Sequence, residues 1–329
     1  MNLKCGIIGF GKMGRIRARS IEENNFGEII AIYDPDQQEI PYNRVDNDYE
    51  VINDPEVEVV FVCTPNYRIA PLCKDGLLAG KHVFAEKPPA FNAKELLEVI
   101  EIENISGKKL MYGFNHRHHG SIKKMKSMIE SGEIGNILWM RGRYGKEVDQ
   151  NYFKGWRADP KLAGGGILLD QGIHMLDLFL HLAGSFDEVY SLVSNLYWKA
   201  ENLEDNVFAI MRNNNSGVCA SLHSTMTQWR YLFSLEVFFS KGSMVLNGLR
   251  TSSGVYGDEI LSIKKNSGDI DNDDSFFPSE ENFEFEIDKS WDNELKHFFE
   301  AISNNTSIKT GNSKDALNLM TLIDKIYAH

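Results

Sequence analysis

The chain has 329 residues, 42% of them hydrophobic and 25% charged, enough apolar material for two domains of ordinary size. Its 47 acidic residues outnumber 35 lysines and arginines, for a formal net charge of −12. No basic patch stands out against that background, which sets nucleic-acid binding aside.

Four cysteines, Cys5, Cys63, Cys73 and Cys219, form no CxxC pair. Cys5 and Cys63 lie in apolar runs and read as small buried hydrophobes, a usage that fits a reducing compartment better than a disulfide scaffold. The opening MNLKCGIIGFGKMG carries no long apolar leader, and no stretch reaches the ~18 apolar residues of a membrane span. The expectation is a cytoplasmic protein with no membrane partner.

An apolar run at 3–8 predicts a strand, and Gly9-Phe10-Gly11-Lys12-Met13-Gly14 follows it directly, ahead of a predicted helix at 15–25. Strand, GxGxxG and helix together suit a dinucleotide: the glycines turn the backbone, admit the pyrophosphate and let the helix pack on the strand. The helix N-terminus then offers free N–H groups to phosphate. A second run, 28–33, ends at Asp34, where a carboxylate can take the adenosine ribose hydroxyls; the competing reading makes Asp34-Pro35-Asp36 a plain turn. No Lys or Arg follows Asp34 closely, so NAD is favoured over NADP. Arg15, Arg17 and Arg19 read as solvated helix charges.

Strand and helix signals keep alternating: strand 57–62 before Cys63-Thr64-Pro65-Asn66, helix 70–79, strand 82–85 before Glu86-Lys87-Pro88-Pro89, and strand 109–113. This is the pattern of a doubly wound parallel sheet, in which ligands bind beyond the strands' carboxyl ends. Thr64, Pro65, Asn66, Glu86, Lys87 and Asn115 all fall there. Lys87 precedes two prolines, which restrain its backbone. Beside a cationic nicotinamide its pKa would be depressed for proton transfer. Spacing alone weighs that reading level with a surface lysine.

After Arg117 the texture changes to a helix at 121–131 and then short strands at 136–144, 188–196, 206–212, 218–225, 233–239, 243–246 and 259–264. These predict an α+β domain on a largely antiparallel sheet, so the expected division is 1–118 and 119–329, with the last helix able to pack back on the first domain. Asp269, Asp271, Asp273 and Asp274 read as an exposed charged loop rather than a calcium site.

One stretch of the second domain stands apart: Gly164-Gly165-Gly166-Ile167-Leu168-Leu169-Asp170-Gln171-Gly172-Ile173-His174-Met175-Leu176-Asp177. Leu169, Ile173, Leu176 and Leu180 form an apolar helical stripe beside a polar one of Asp170, His174, Asp177 and His181. Asp170 and His174, at i and i+4, are spaced to interact, so the carboxylate orients the imidazole and favours its charged form. The triple glycine reads as clearance for a flat ligand. A metal would need a third ligand, and His116, His118 and His119 read as a surface helix start, so no metal is expected.

In order along the chain, GFGKMG, Asp34, Thr64-Pro65-Asn66, Glu86-Lys87-Pro88, Gly113-Phe114-Asn115, Trp156-Arg157, GGGxLxDxGxH and Asp177 resemble the glucose-fructose oxidoreductase/inositol dehydrogenase/rhizopine catabolism (Gfo/Idh/MocA) family. The resemblance implies an N-terminal Rossmann domain, a C-terminal domain built on a large, mostly antiparallel open sheet, a nicotinamide cofactor and a sugar, sugar-nucleotide or cyclitol substrate. It makes Lys87, Asp170 and His174 the catalytic set and places Trp156 and Arg157 by the nicotinamide or substrate. It also implies a homodimer or homotetramer formed through the open sheet. A histidine that often lies three residues after the family's Asn is Ile69 here. Two rivals stay open: redox-neutral chemistry with tightly held NAD, of the glycosidase or transhydrogenase kind, and a non-catalytic NAD-binding sugar sensor.

Overall fold

The computed structural model describes residues 2–36, 41–266 and 280–328; the four aspartates from Asp269 to Asp274 lie outside them. The chain forms two compact units. The first runs to Asn115 and takes in Lys161–Gly164 and Ser290–Thr321, and the second holds the remainder.

The first unit begins with β1 (Leu3–Ile8), α1 (Lys12–Glu23), β2 (Gly27–Tyr33), α2 (Asp48–Asn53), β3 (Val59–Val62), α3 (Ile69–Leu78), β4 (His82–Ala85), α4 (Ala93–Ser106) and β5 (Leu110–Tyr112). The five strands pair in parallel in the order β2-β1-β3-β4-β5. In β3, Val-Val-Phe-Val is buried at every position, as a strand covered by helices on both faces must be. The strand order reverses between β1 and β3, and a doubly wound sheet opens its ligand crevice at such a point.

In the second unit lie α5 (Gly120–Ser131), β6 (Ile137–Glu147), the short α6 (Pro160–Ala163, mostly counted with the first unit) and α7 (Ile173–Ala183). Then come β7 (Glu188–Ser194), β8 (Asn206–Arg212), β9 (Cys219–Thr225), β10 (Thr227–Phe239), β11 (Gly242–Asn247), β12 (Glu259–Lys265) and β13 (Glu281–Phe285). These eight strands form one sheet, β13-β12-β11-β10-β6-β9-β8-β7, antiparallel except where β6 runs parallel to β9. Helix α7 lies against this sheet so closely that a Cβ on Gly142 would meet Met175 and Phe179. Leu176 and Phe179 are fully buried, each contributing about 1.5–3 kcal/mol.

Two helices close the chain, α8 (Ser290–Ser303) and α9 (Ser313–Tyr327). Helix α8 belongs to the first unit and packs on α1. Phe298 meets Phe84 edge-on at 5.5 Å, and Phe299 stacks on Phe26 at 5.4 Å. Arg17, expected as a solvated helix charge, is instead 0% exposed. Its guanidinium reaches Glu86 and Glu294 at 2.7 Å each and lies 4.4 Å over the Phe84 ring. Burial opposes its charge, but the two carboxylates hold its pKa up. Position 17 faces inward because Ala18 and Ile21 share its side of the helix with the core.

Cutting one arm of a buried ion cluster strands the others. Arg17→Met leaves Glu86 and Glu294 without their guanidinium and is expected to cost about 3–5 kcal/mol of stability. A denaturation midpoint within error of wild type would show that the cluster carries no such weight.

Candidate functional site

The three glycines of the first loop have three different reasons to be glycine. Gly9 sits at φ +92, where a side chain would strike the Cys63 carbonyl at the end of β3. A Cβ on Gly14 would collide with the Gly9 carbonyl, so α1 packs directly on the turn. Gly11 is the exception: a Cβ there would meet nothing within 4 Å. Open space therefore lies beside the start of α1, which has no side-chain cap and no acidic residue in its first turn. Turn, close packing and open approach are the roles a pyrophosphate-binding loop requires. Lys12 is exposed and Met13 half-buried in that first turn, while Phe10 is buried.

The other candidates follow the strand ends. Asp34 ends β2, its Oδ2 accepting from the Phe10 N–H at 2.5 Å and its Oδ1 from the Asp36 N–H at 2.9 Å. That fixes the carboxylate against the glycine loop. Past β3, the Thr64 hydroxyl oxygen is buried without a hydrogen-bond partner. Pro65 leads into a 3-10 turn at Asn66–Arg68, and Asn66 donates to the Ala163 carbonyl at 2.7 Å. Ile69, where the family often has histidine, is fully buried. Glu86 follows β4 and is held by Arg17, Nε to Oε1 at 2.8 Å. Lys87 comes next, half-buried, with a cis bond to Pro88. Asn115, past β5, donates to the Ser290 hydroxyl at 3.2 Å. An orphaned hydroxyl, an open glycine face and an anchored carboxylate fit a dinucleotide.

The triple glycine, of which Gly164 belongs to the first unit and Gly165 and Gly166 to the second, departs from expectation. It does not leave clearance for a ligand. A Cβ on Gly164 would strike Phe91, one on Gly165 the Tyr327 hydroxyl, and one on Gly166 the Glu204 backbone. The protein itself fills this space. Glu204, almost fully buried, accepts from the N–H groups of Gly166 at 2.8 Å and Leu168 at 2.9 Å, and from the Tyr327 hydroxyl at 2.8 Å. Burial pushes its carboxyl up, partly offset by those donors. A carboxylate remote in sequence thus satisfies the orphan donors where the segment carrying Asp170 and His174 begins.

That segment is not a plain α-helix either. Leu168–Gly172 is a π-turn, with the Ile173 N–H reaching back to the Leu168 carbonyl. Such turns insert an extra residue into a helix and recur at functional sites. Helical spacing assigns Asp170 one partner, His174; the structure brings three others to it. Asp170 Oδ2 accepts from Lys146 Nζ at 2.9 Å and from the Tyr152 hydroxyl at 3.3 Å, and Oδ1 accepts from Arg157 Nε at 3.3 Å. Burial, with the Asp170 charge beside it, pushes the Tyr152 phenol well up. Arg157 also lies over Trp156, 4.3 Å from the ring.

His174 is buried, its ring stacked on His116 at 4.0 Å and 16°. His116 bonds the Tyr144 hydroxyl at 3.0 Å through Nε2. The histidines expected at the surface, His116, His118 and His119, are all buried; His119 Nδ1 pairs with Glu259 at 2.7 Å. Asp177 is fully buried in a bidentate pair with Arg117, Nε to Oδ2 at 2.8 Å and Nη2 to Oδ1 at 2.6 Å. Lys146 and Tyr144 were beyond reach of motif reading, because they lie on one strand with no signature spacing to Asp170. The alternation of β6 was the only available signal. Among the described residues, no group of three or more His, Cys, Asp or Glu is arranged to hold a metal ion. Nor is any helix among them long and apolar enough to cross a membrane.

Comparison with known proteins is consistent with this geometry. A family model described as an oxidoreductase family with an NAD-binding Rossmann fold matches residues 3–114, and a GFO/IDH/MocA C-terminal domain model matches residues 122–245. Myo-inositol 2-dehydrogenase of Thermotoga maritima is 28% identical over 272 residues, covering 78% of this chain and 79% of the relative. An uncharacterised oxidoreductase of Bacillus subtilis is 28% identical over 265 residues, covering 75% and 74%. A solved levoglucosan dehydrogenase, in complex with NADH and levoglucosan, aligns over 100% of this chain and 97% of that chain. Its TM-score is 0.86 at 23% identity, a likeness of fold.

The glycine–glutamate seat makes a direct prediction. Tyr327→Phe takes one donor from a buried carboxylate and is expected to cost about 1–3 kcal/mol. Gly166→Ala forces backbone apart and should cost about 1–3 kcal/mol or more. Thermal melts that leave both variants at the wild-type midpoint would remove Glu204 from this role.

Proposed function

The chain belongs to the GFO/IDH/MocA oxidoreductase family, with an NAD-binding Rossmann domain, and from that premise we propose that it moves a hydride between NAD and a secondary hydroxyl or ketone of a sugar, sugar nucleotide or cyclitol. Relatives named myo-inositol 2-dehydrogenase and levoglucosan dehydrogenase support a carbinol as the reacting group. The observation that carries the reading is Asp170, fixed by Lys146, Tyr152 and Arg157 four residues ahead of a buried His174.

Bound NAD supplies the carbon that accepts the hydride. His174 takes the hydroxyl proton as the carbinol becomes a carbonyl, and returns it in the reverse direction. Its stack on His116 fixes the plane of the imidazole. Asp170, held between Lys146 and Arg157, accepts a hydrogen bond from the substrate and orients it. Lys87, restrained next to Pro88, donates to the reacting oxygen and shares the proton. Gly9, Phe10, Gly11, Lys12, Met13, Thr64, Pro65, Asn66, Glu86 and Asn115 bind the dinucleotide, with Trp156 and Arg157 toward its nicotinamide or the substrate. Asp34 receives the ribose hydroxyls and repels a 2′-phosphate, which favours NAD over NADP.

One face of the eight-stranded sheet carries exposed apolar side chains, among them Tyr190, Leu192, Phe208 and Ile210, each between 49% and 74% exposed. An exposed apolar face of this kind is read as the surface through which copies of the chain form a dimer or tetramer.

Lys87→Ala and His174→Ala are each expected to lower kcat by about 10²–10⁴ in NAD-linked sugar or cyclitol oxidation, while His174→Ala retains NADH binding by fluorescence. Wild-type turnover in either variant would sink the assignment. Leu192→Glu with Ile210→Glu is expected to give a monomer by light scattering, and an unchanged mass would place the interface elsewhere.

A further inference from the structure

The reading above leaves unexplained what lies outward of Asp170 in the second unit. A cavity of about 410 Å³ opens there, lined by Lys146, Glu147, Val148, Asp149, Tyr152 and Tyr231. Its size falls within the ~300–1,000 Å³ of small-molecule pockets. Two of its lining residues, Lys146 and Tyr152, are the ones that hold Asp170. Tyr231 ties it to His174 through a row of rings: Tyr231 to Tyr256 at 5.2 Å, Tyr256 to Tyr144 at 5.2 Å, Tyr144 to His174 at 6.2 Å.

The strand that supplies Tyr231 is irregular at that point. Thr227 faces Glu147 on β6, yet the next pair is Leu232 with Gly145, so β10 bulges between them. Gln228 folds over Gly145, which has no side chain to obstruct it. Within the bulge Trp229 sits at φ +57, a left-handed conformation that an aromatic residue rarely adopts. Bulges re-aim side chains, and strain of this kind marks function more often than accident. The Trp229 ring stays 52% exposed and meets Tyr197 edge-on at 4.8 Å. Trp198 links this pair to Phe153 at 4.9 Å, and Phe153 to the cavity's Tyr152 at 5.2 Å. Trp229 lies two residues along the chain from the cavity's Tyr231, within the same bulge.

We propose that Trp229 and Tyr197 form a subsite for the non-reacting ring of a neutral glycoside, which continues outward from the cavity beside Asp170. The preferred substrate is then a glycosylated sugar or polyol, rather than a free monosaccharide or a sugar nucleotide. An exposed aromatic face takes the apolar C–H face of a pyranose, while phenols and carboxylates take its hydroxyls. The lysine of the cavity is engaged by Asp170, and the other charged groups lining it are carboxylates, Glu147 and Asp149, which oppose a phosphate. This inference rests on the oxidoreductase reading.

The test compares glucose, methyl glucosides, cellobiose, maltose and sucrose as substrates with NAD. The wild type is expected to show a KM for its best glycoside about tenfold or more below that of the parent sugar. Trp229→Ala should erase that preference while leaving kcat and the monosaccharide KM unchanged, and Trp229→Phe should restore it in part. A wild type that favours the free sugar, or a Trp229→Ala variant that keeps the preference, overturns the subsite. So does a variant whose only change is its oligomeric mass, which would give the ring to a second copy. If neither these compounds nor a wider set of free sugars, cyclitols and sugar nucleotides reduces NAD although NADH binds, the oxidoreductase reading fails. Saturable quenching of tryptophan fluorescence by the disaccharides, lost in Trp229→Phe, then supports the subsite on its own, and absent quenching overturns it.

Discussion

The second unit depends on one buried carboxylate. Glu204 stands where an N-cap would stand, but it arrives from a loop ahead of β8 rather than from the segment it caps. Its hydrogen bonds fix where the chain enters the π-turn, and so set the positions of Asp170 and His174. Gly166 lets it in, and Gly165 leaves room for the Tyr327 hydroxyl that bonds it. A side chain at 165 or 166 would push out Tyr327 or the Glu204 backbone and shift the turn with them. Precise placement of acid and imidazole is thereby secured by groups that never touch a substrate, in keeping with how sites are held to sub-ångström tolerance.

Elsewhere the chain repeats this tactic with paired charges. Arg17 joins α1, α8 and the turn after β4, and Arg117 locks Asp177 on α7. Buried ion pairs add little net stability, because desolvation consumes most of the Coulombic gain. They do make alternative packings expensive. Each joins residues far apart in sequence, so each selects one register of helix on sheet or helix on helix.

Some of this was readable in the residues and some was not. The Rossmann unit was legible because its signals are local: an apolar run, GxGxxG and Asp34 lie within a few dozen residues and obey fixed spacing. The eight-stranded sheet was legible as short alternating strands, although the length of β10 was not, because its bulge hides the alternation around Trp229. At Asp170 and His174 the residue types were evident while the geometry was misjudged. An α-helical period was assumed for a stretch that makes a π-turn, and nothing local announces the extra residue. Gly166 looks locally like room for a ligand because the residue that needs the room, Glu204, is 38 residues away. Arg17 and the histidines at 116–119 were misplaced for the same reason: burial of a charge is decided by partners that only the fold supplies.

The pairing of α8 with α1 also has a meaning for synthesis. The nucleotide-binding unit draws its core from both ends of the chain, since Phe298 and Glu294 complete what Phe61, Phe84 and Arg17 begin. A ribosome that has delivered the whole parallel sheet has still not delivered the helix that neutralises and covers it. The glycine loop can therefore be made early, but the unit that carries it becomes whole only once Ser290–Thr321 has followed the second unit's sheet. Domains generally fold as units during synthesis, the N-terminal one first. Here neither unit can be finished well before the other, because the second also takes in residues from Leu322 onward, beyond α8, and with them the Tyr327 that bonds Glu204.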